Sequence, residues 1–239
     1  MSKPMIAVAV VVVLAIILVV FRLRNRGARP EESAEFRRQL LYASFGRGMV
    51  DAMSSSESPS PPWSAFVTVK DRLRMRDQVL AREDLHRMVE SSDAATLVRL
   101  IGWNLLREMG ENPDASVSQT VQGVVAELPG QGVPEVVAVY ADGSAGQLDP
   151  SGNLTQWTPS GAAAAMLSQQ IDDAQKLVAD FTPAGGLPAP ARSSPRITLL
   201  TFAGLRSREI GPGMSDDPAI TAIVDRAKAI QAATSATSR

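Results

Sequence analysis

A chain of 239 residues with no cysteine and one histidine excludes disulfide frameworks, thiolate metal sites and cysteine nucleophiles. Any triad or imidazole metal site would have to use His86. The net charge of −1 conceals an asymmetry: residues 22–50 carry seven Arg against three Glu, and residues 113–239 carry eight basic against twelve acidic side chains. That suits an anionic membrane surface near the N-terminus and argues against nucleic acid as a partner of the C-terminal half.

Residues 1–4 read as a short tail. Residues 5–21, from Met5 to Phe21, are 17 consecutive apolar residues without Gly or Pro. A helix of that composition is apolar all round and is at home in lipid, where its backbone is satisfied internally. Its span of about 25 Å approaches a hydrocarbon core of about 30 Å. A cleaved signal peptide is the rival reading, but the run ends in arginines instead of a small-residue cleavage site. Arg22, Arg24, Arg26 and Arg29 outweigh Lys3 and the amino terminus. The expected topology is therefore a single-pass anchor in an inner membrane with the rest of the chain cytoplasmic. The excess of Arg (twenty) over Lys (four) matches GC-rich bacterial coding.

Residues 22–53 form a basic juxtamembrane segment, helical from about 31, with Glu31, Glu32 and Glu35 at the positive end of the helix dipole. Arg37, Arg38 and Arg47 are candidate contacts for anionic lipid headgroups on an interfacial amphipathic helix. The equal alternative is a stalk helix packed on protein, and Gly46 and Gly48 weaken its later part. Residues 54–63 read as a Ser/Pro linker.

Residues 64–112 read as a helical hairpin, with Ser91, Ser92 and Asp93 capping a helix whose apolar face includes Leu97, Ile101 and Leu105. Residues 113–239 are expected to form a separate α+β domain, a two-layer sandwich ordered helix, three strands, helix, two strands, helix. Its first helix covers Ser116 to Leu128. The strands are Val136 to Ala141, Ser144 to Leu148, Leu154 to Thr158, Arg196 to Phe202 and Leu205 to Ile210. Asp142-Gly143 and Asp149 to Asn153 supply the turns. Further helices run from Ser160 to Phe181 and from Asp216 or Asp217 to about Ala233. Arg196 to Phe202, apolar on both sides, is expected at the centre of the sheet.

Chemistry-bearing motifs are sparse. Gly130-Gln131-Gly132 precedes a strand and is not a dinucleotide fingerprint. Asp142, Asp149 and Asn153 do not have the spacing of a calcium loop, and hairpin turns need the same residues. Asp172-Asp173 reads as a solvated helix face and Asp216-Asp217 as a cap. His86 lies among Glu83, Asp84, Arg87 and Glu90 on a charged surface. Trp157, Phe202 and Leu205 are core by default, though a half-exposed aromatic would mark a binding face. No catalytic residue, cofactor or metal is assigned. The expectation is a membrane-anchored, non-enzymatic module whose partner is another protein or a second copy. A small-ligand sensor is the alternative, and an enzyme using a cleft of Asp142, Arg196 and Arg206 comes third.

Overall fold

The computed structural model describes residues 33–129, 134–191, 193–211 and 217–237. The apolar run, its arginine flank, Gly130 to Gly132 and Asp216 lie outside the described residues. Among the described residues no helix is long and apolar enough to cross a membrane.

The chain before the sheet is helical. Helix α1 (Ala34–Leu41) starts where Ser33 Oγ accepts the Phe36 amide at 3.0 Å, and it buries Phe36, Leu40 and Leu41. The helix expected through residue 53 instead breaks at Tyr42 to Gly46 and resumes as α2 (Arg47–Met53). The chain leaves the helix at Ala43, which sits at φ of +50°, and Gly46 opens the next one, where a β-carbon would stand 2.6 Å from Glu108 Oε1 and Glu108 Oε2 accepts the Arg47 amide at 3.0 Å. A 3₁₀ turn (Trp63–Phe66) leads into α3 (Val67–Arg74), then α4 (Gln78–Glu90) and α5 (Thr96–Glu108). Asp77, at the N-cap of α4, accepts the Leu80 amide at 3.1 Å. The hairpin expected over residues 64–112 is therefore α3, α4 and α5. Ser91 to Asp93 precede α5, but its N-cap is Ala95, and the capping carboxylate comes from elsewhere in the chain.

After a single turn, α6 (Ala115–Ser118), the chain enters β1 (Val121–Leu128), where a helix was expected. Then follow β2 (Glu135–Tyr140), β3 (Ala145–Leu148), β4 (Leu154–Trp157), α7 (Ala162–Lys176), a 3₁₀ turn (Val178–Asp180), β5 (Thr182–Pro183), β6 (Arg196–Thr201), β7 (Gly204–Glu209) and α8 (Pro218–Thr237). The seven strands form one antiparallel sheet ordered β4-β3-β2-β1-β6-β7-β5. The middle strand is β1, and β6 lies beside it, so the expected centre is displaced by one position. Burial of β6 on both faces is as expected: Ile197, Leu199 and Leu200 are fully buried.

The sheet carries helices on both faces, giving three layers where two were expected. On one face, Val125, Val136, Ala138, Tyr140, Leu148, Leu200 and Phe202 pack into a core shared with α1 to α5. On the other, Val124, Val137, Val139, Ile197 and Leu199 pack under α7 and α8. Alternation along strands of period two sends neighbouring residues to opposite layers. Because the first core runs without interruption from Phe36 to Phe202, the division expected at 112/113 does not separate two cores.

Candidate interaction surface

Arg38 is drawn away from any lipid contact. Its side chain is buried on the first face, where Nε donates to Glu127 Oε1 at 2.5 Å and Nη2 to the Pro188 carbonyl at 2.6 Å. Its guanidinium also lies 5.1 Å from the centre of the Tyr42 ring. Burial pulls the Arg38 pKa down, but the hydrogen bond and charge of Glu127 more than offset it, leaving the group above its ordinary value. Glu127 is inaccessible to solvent. Its Oε2 accepts the Ala191 amide at 3.0 Å and lies 3.5 Å from Arg196 Nη1. Arg196 donates in turn to the Ala189 carbonyl and to Glu209. One carboxylate thus ties α1, β1, β6 and the loop before β6. Sealed from solvent, it is a structural joint.

Arg37 and Arg47 keep part of their surface. Arg37 is half-buried and donates to the Gly152 carbonyl at 2.6 Å, while Arg47 is exposed. The three candidate lipid contacts therefore reduce to these two.

The trio Asp142, Arg196 and Arg206 is not brought together. Asp142 follows the end of β2 that pairs with Gly123, whereas Arg196 pairs with Glu127 at the other end of β1. Arg206, on β7, donates to the Val178 carbonyl at 3.0 Å. Asp142 is a structural carboxylate: Oδ2 accepts the Thr96 amide at 2.7 Å, capping α5, and Oδ1 accepts the Ser144 amide and hydroxyl. Burial pushes its pKa up, and these hydrogen bonds from Ser144 and Thr96 bring it net below the ordinary carboxylate value. Asp149 closes the β3–β4 turn on Asn153 at 2.8 Å, at the other end of β3 from Asp142. Among the described residues no cluster of three His or acidic side chains is arranged to hold a metal.

His86 lies 2.6 Å from Glu111 and edge-on to Trp103 at 6.1 Å. Asp172 is exposed, and Asp173 joins α7 to α8 through Arg226 at 2.7 Å. Asp217 caps α8 by accepting the Ala219 amide at 3.0 Å, as expected for that pair. Phe202 is buried against Trp103, and Leu205 is half-buried on the same layer.

Trp157 differs from these core residues. It is half-exposed on β4, an outer strand of the sheet, and Thr155 and Gln156 beside it are exposed. Pairing places Leu154 and Gln156 on the first face and Thr155 and Trp157 on the second. Beside β4 run two clefts that share Pro61: one of about 330 Å³ against Phe36, Trp63 and Leu154, and one of about 320 Å³ against Leu97, Tyr140 and Trp157. The chain carries no charge from Pro150 to Ile171. Asp142 lines the cleft with Trp157 and Arg37 the other, both held by hydrogen bonds, while the strand itself offers a half-exposed aromatic among neutral residues, as interface cores do. Comparison with protein-family models, with curated proteins and with solved structures finds no match to the chain.

Proposed function

We propose that this chain is a single-pass, membrane-tethered interaction module of a bacterial inner membrane, with its folded part on the cytoplasmic side and its partner a protein. The observation that carries the reading is β4. It is an outer strand with exposed Thr155 and Gln156, half-exposed Leu154 and Trp157, and no charge on it. A strand of that kind offers backbone donors and acceptors to an incoming strand, and adjacent clefts take its side chains.

The tether is supported by the apolar run from Met5 to Phe21 and by Arg22, Arg24, Arg26 and Arg29 behind it. The described chain starts at Ser33 beside the β3–β4 turn: a β-carbon on Gly152 would lie 3.3 Å from Ala34 Cβ. The membrane-proximal end of the fold is then close to the strand that is to bind.

The test uses the full chain in membranes. It should resist carbonate extraction, and a reporter fused after Arg239 should be active in the cytoplasm. A photo-crosslinking residue at Gln156 should capture a protein, whereas the same residue at exposed Thr182 should not. Release by carbonate would overturn the tether, and no adduct at Gln156 would overturn the binding face.

A further inference from the structure

Resting on the interaction reading above, we infer that the partner on β4 is a second copy of this chain, joined edge to edge as an antiparallel β4–β4 pair that continues the sheet across a two-fold axis. The two edges of the sheet differ in a way that points there. The outer strand β5 has two residues, one of them Pro183, which has no amide hydrogen to give. The other edge, β4, has four residues, pairs with β3 without a register shift, and has neither proline nor charge. Natural sheets block free edges with prolines, charges or bulges, and β4 carries none of these devices.

Symmetry selects the occupant. In an antiparallel pair about a two-fold axis normal to the sheet, residues directly opposite point to the same face. Since Leu154 and Gln156 face one layer and Thr155 and Trp157 the other, the axis must pass through a residue rather than between two. The central registers place Thr155 opposite Thr155 or Gln156 opposite Gln156 of the second copy. A charged residue at such a position would meet its own charge. Here the residues are neutral, and the chain stays uncharged through Ile171. A self-matching neutral edge complements itself, and the charges in the clefts beside it are already engaged: Arg37 by the Gly152 carbonyl and Asp142 by Thr96 and Ser144.

The same axis keeps the α1 layers of both copies on one side of the continued sheet. Both chains then enter at Ser33 from that side, as two anchors in one membrane require. Tethering both copies in a membrane also raises their effective concentration.

The chain is free of cysteine, so single cysteines report the pairing directly. Directly opposite residues have Cα atoms about 4.5–5.5 Å apart, within reach of a disulfide. Full-length Thr155→Cys, Gln156→Cys and, on the other edge, Thr182→Cys are oxidised in membranes. Thr155→Cys or Gln156→Cys should give a covalent species of twice the chain mass, roughly tenfold above Thr182→Cys, because only facing thiols meet in the bond geometry. Adding Thr155→Lys or Thr155→Glu to Gln156→Cys should lower the yield severalfold, because in the register that pairs Gln156 with itself the two introduced charges are diagonal neighbours on one face. Thr155 is exposed, so circular dichroism should show both variants folded. Equal cross-linking at all three positions, or yields insensitive to both charged variants, would overturn self-pairing through β4. No covalent dimer at Thr155 or Gln156 would overturn it too. In that case a photo-adduct of another mass at Gln156 leaves the interaction reading standing, and no adduct at all removes both.

Discussion

The two faces of the sheet are built from different materials. The face under α1 to α5 is aromatic and cross-tied: Phe36, Phe45 and Trp63 contact one another, with Phe45 and Trp63 meeting edge-on at 4.8 Å. Its polar ties are buried or half-buried and span long sequence separations, as in Arg38 to Glu127 and Asp142 to Thr96. The face under α7 and α8 is mainly aliphatic, with Phe181 as its fully buried ring, and its charged tie, Asp173 to Arg226, lies close to solvent. Hydrophobic burial is non-directional, whereas buried hydrogen bonds admit few arrangements. The first face should therefore fix how its helices sit through several such ties, whereas the second rests mostly on area, with the buried bond from Gln170 to the Ile223 carbonyl at 3.1 Å tying α7 to α8.

The sharpest way to break this comparison is to remove one side. Residues 113–239 alone would uncover Val125, Val136, Tyr140, Leu200 and Phe202. We expect that fragment to aggregate or to melt without a cooperative transition in calorimetry; a sharp transition would mean the second face is sufficient. Leu199→Asp attacks the second face of the full chain. An unpaired carboxylate at this fully buried position costs several kcal/mol against a typical stability of about 5–15, so circular dichroism should show loss of the fold.

Next in size is Glu127→Ala. It leaves Arg38 and Arg196 facing each other without their carboxylate, and breaking a buried pair costs about 3–5 kcal/mol. Glu127→Gln retains the shape and part of the bonding, and should lose less in urea denaturation. If Glu127→Ala cost under about 1 kcal/mol, as exposed pairs do, the first face would not be locked by charge.

Much of this layout is legible in the sequence, and the misreadings share a physical cause. Strands β2 and β6 show β-branched residues, and β3, β4 and β7 follow from the turns beside them, with Gly143 and Gly152 at φ of +80° and +83° where the hairpins need them. Val117 in α6 and Val121, Val124, Val125 and Leu128 in β1 repeat at helical spacing, so a strand buried on both sides imitates a helix face. Gly123 was the available sign: a β-carbon there would stand 3.0 Å from the Val139 carbonyl and from Leu200. A helix over Ser116 to Leu128 gives no reason to bury Glu127, so the partner of Arg38 stays hidden in that reading. The contact between Arg38 and Glu127, 89 residues apart, leaves no local pattern. The charge-free stretch that includes β4 was visible from the start, but its position on an outer edge depends on the order of the strands.

Asp142→Ala should have an intermediate effect. It removes the cap of α5 and the acceptor for Ser144, and losing a cap costs about 0.5–2 kcal/mol. Because the folded carboxyl is held below its ordinary pKa, its contribution is present above about pH 4 and fades as pH falls further. The wild-type advantage over Asp142→Asn in thermal melts should shrink on acidification. An advantage that grew below pH 4 would contradict this capping role.

The smallest effect belongs to the second face. Asp173 accepts from Lys176 and Arg226, and these bonds hold its pKa at about 2, below the ordinary carboxylate value of about 3.9. A depressed folded-state pKa stabilises the fold above the unfolded value, and the contribution disappears as pH falls through the folded one. Asp173→Asn should therefore lower the melting temperature by a constant amount from pH 5 to 7, and the difference should close between about pH 4 and 2. The side chain of Asp173 is 19% exposed, so water and ions screen the pair. The loss should stay under about 1 kcal/mol and shrink in salt. Glu127 lies beyond the reach of that screening, so the cost of Glu127→Ala should be the same in high and low salt. If Asp173→Asn proved as costly and as salt-insensitive as Glu127→Ala, the bridge between α7 and α8 would be a lock equal to the one on the opposite face, and the asymmetry between the faces would fail.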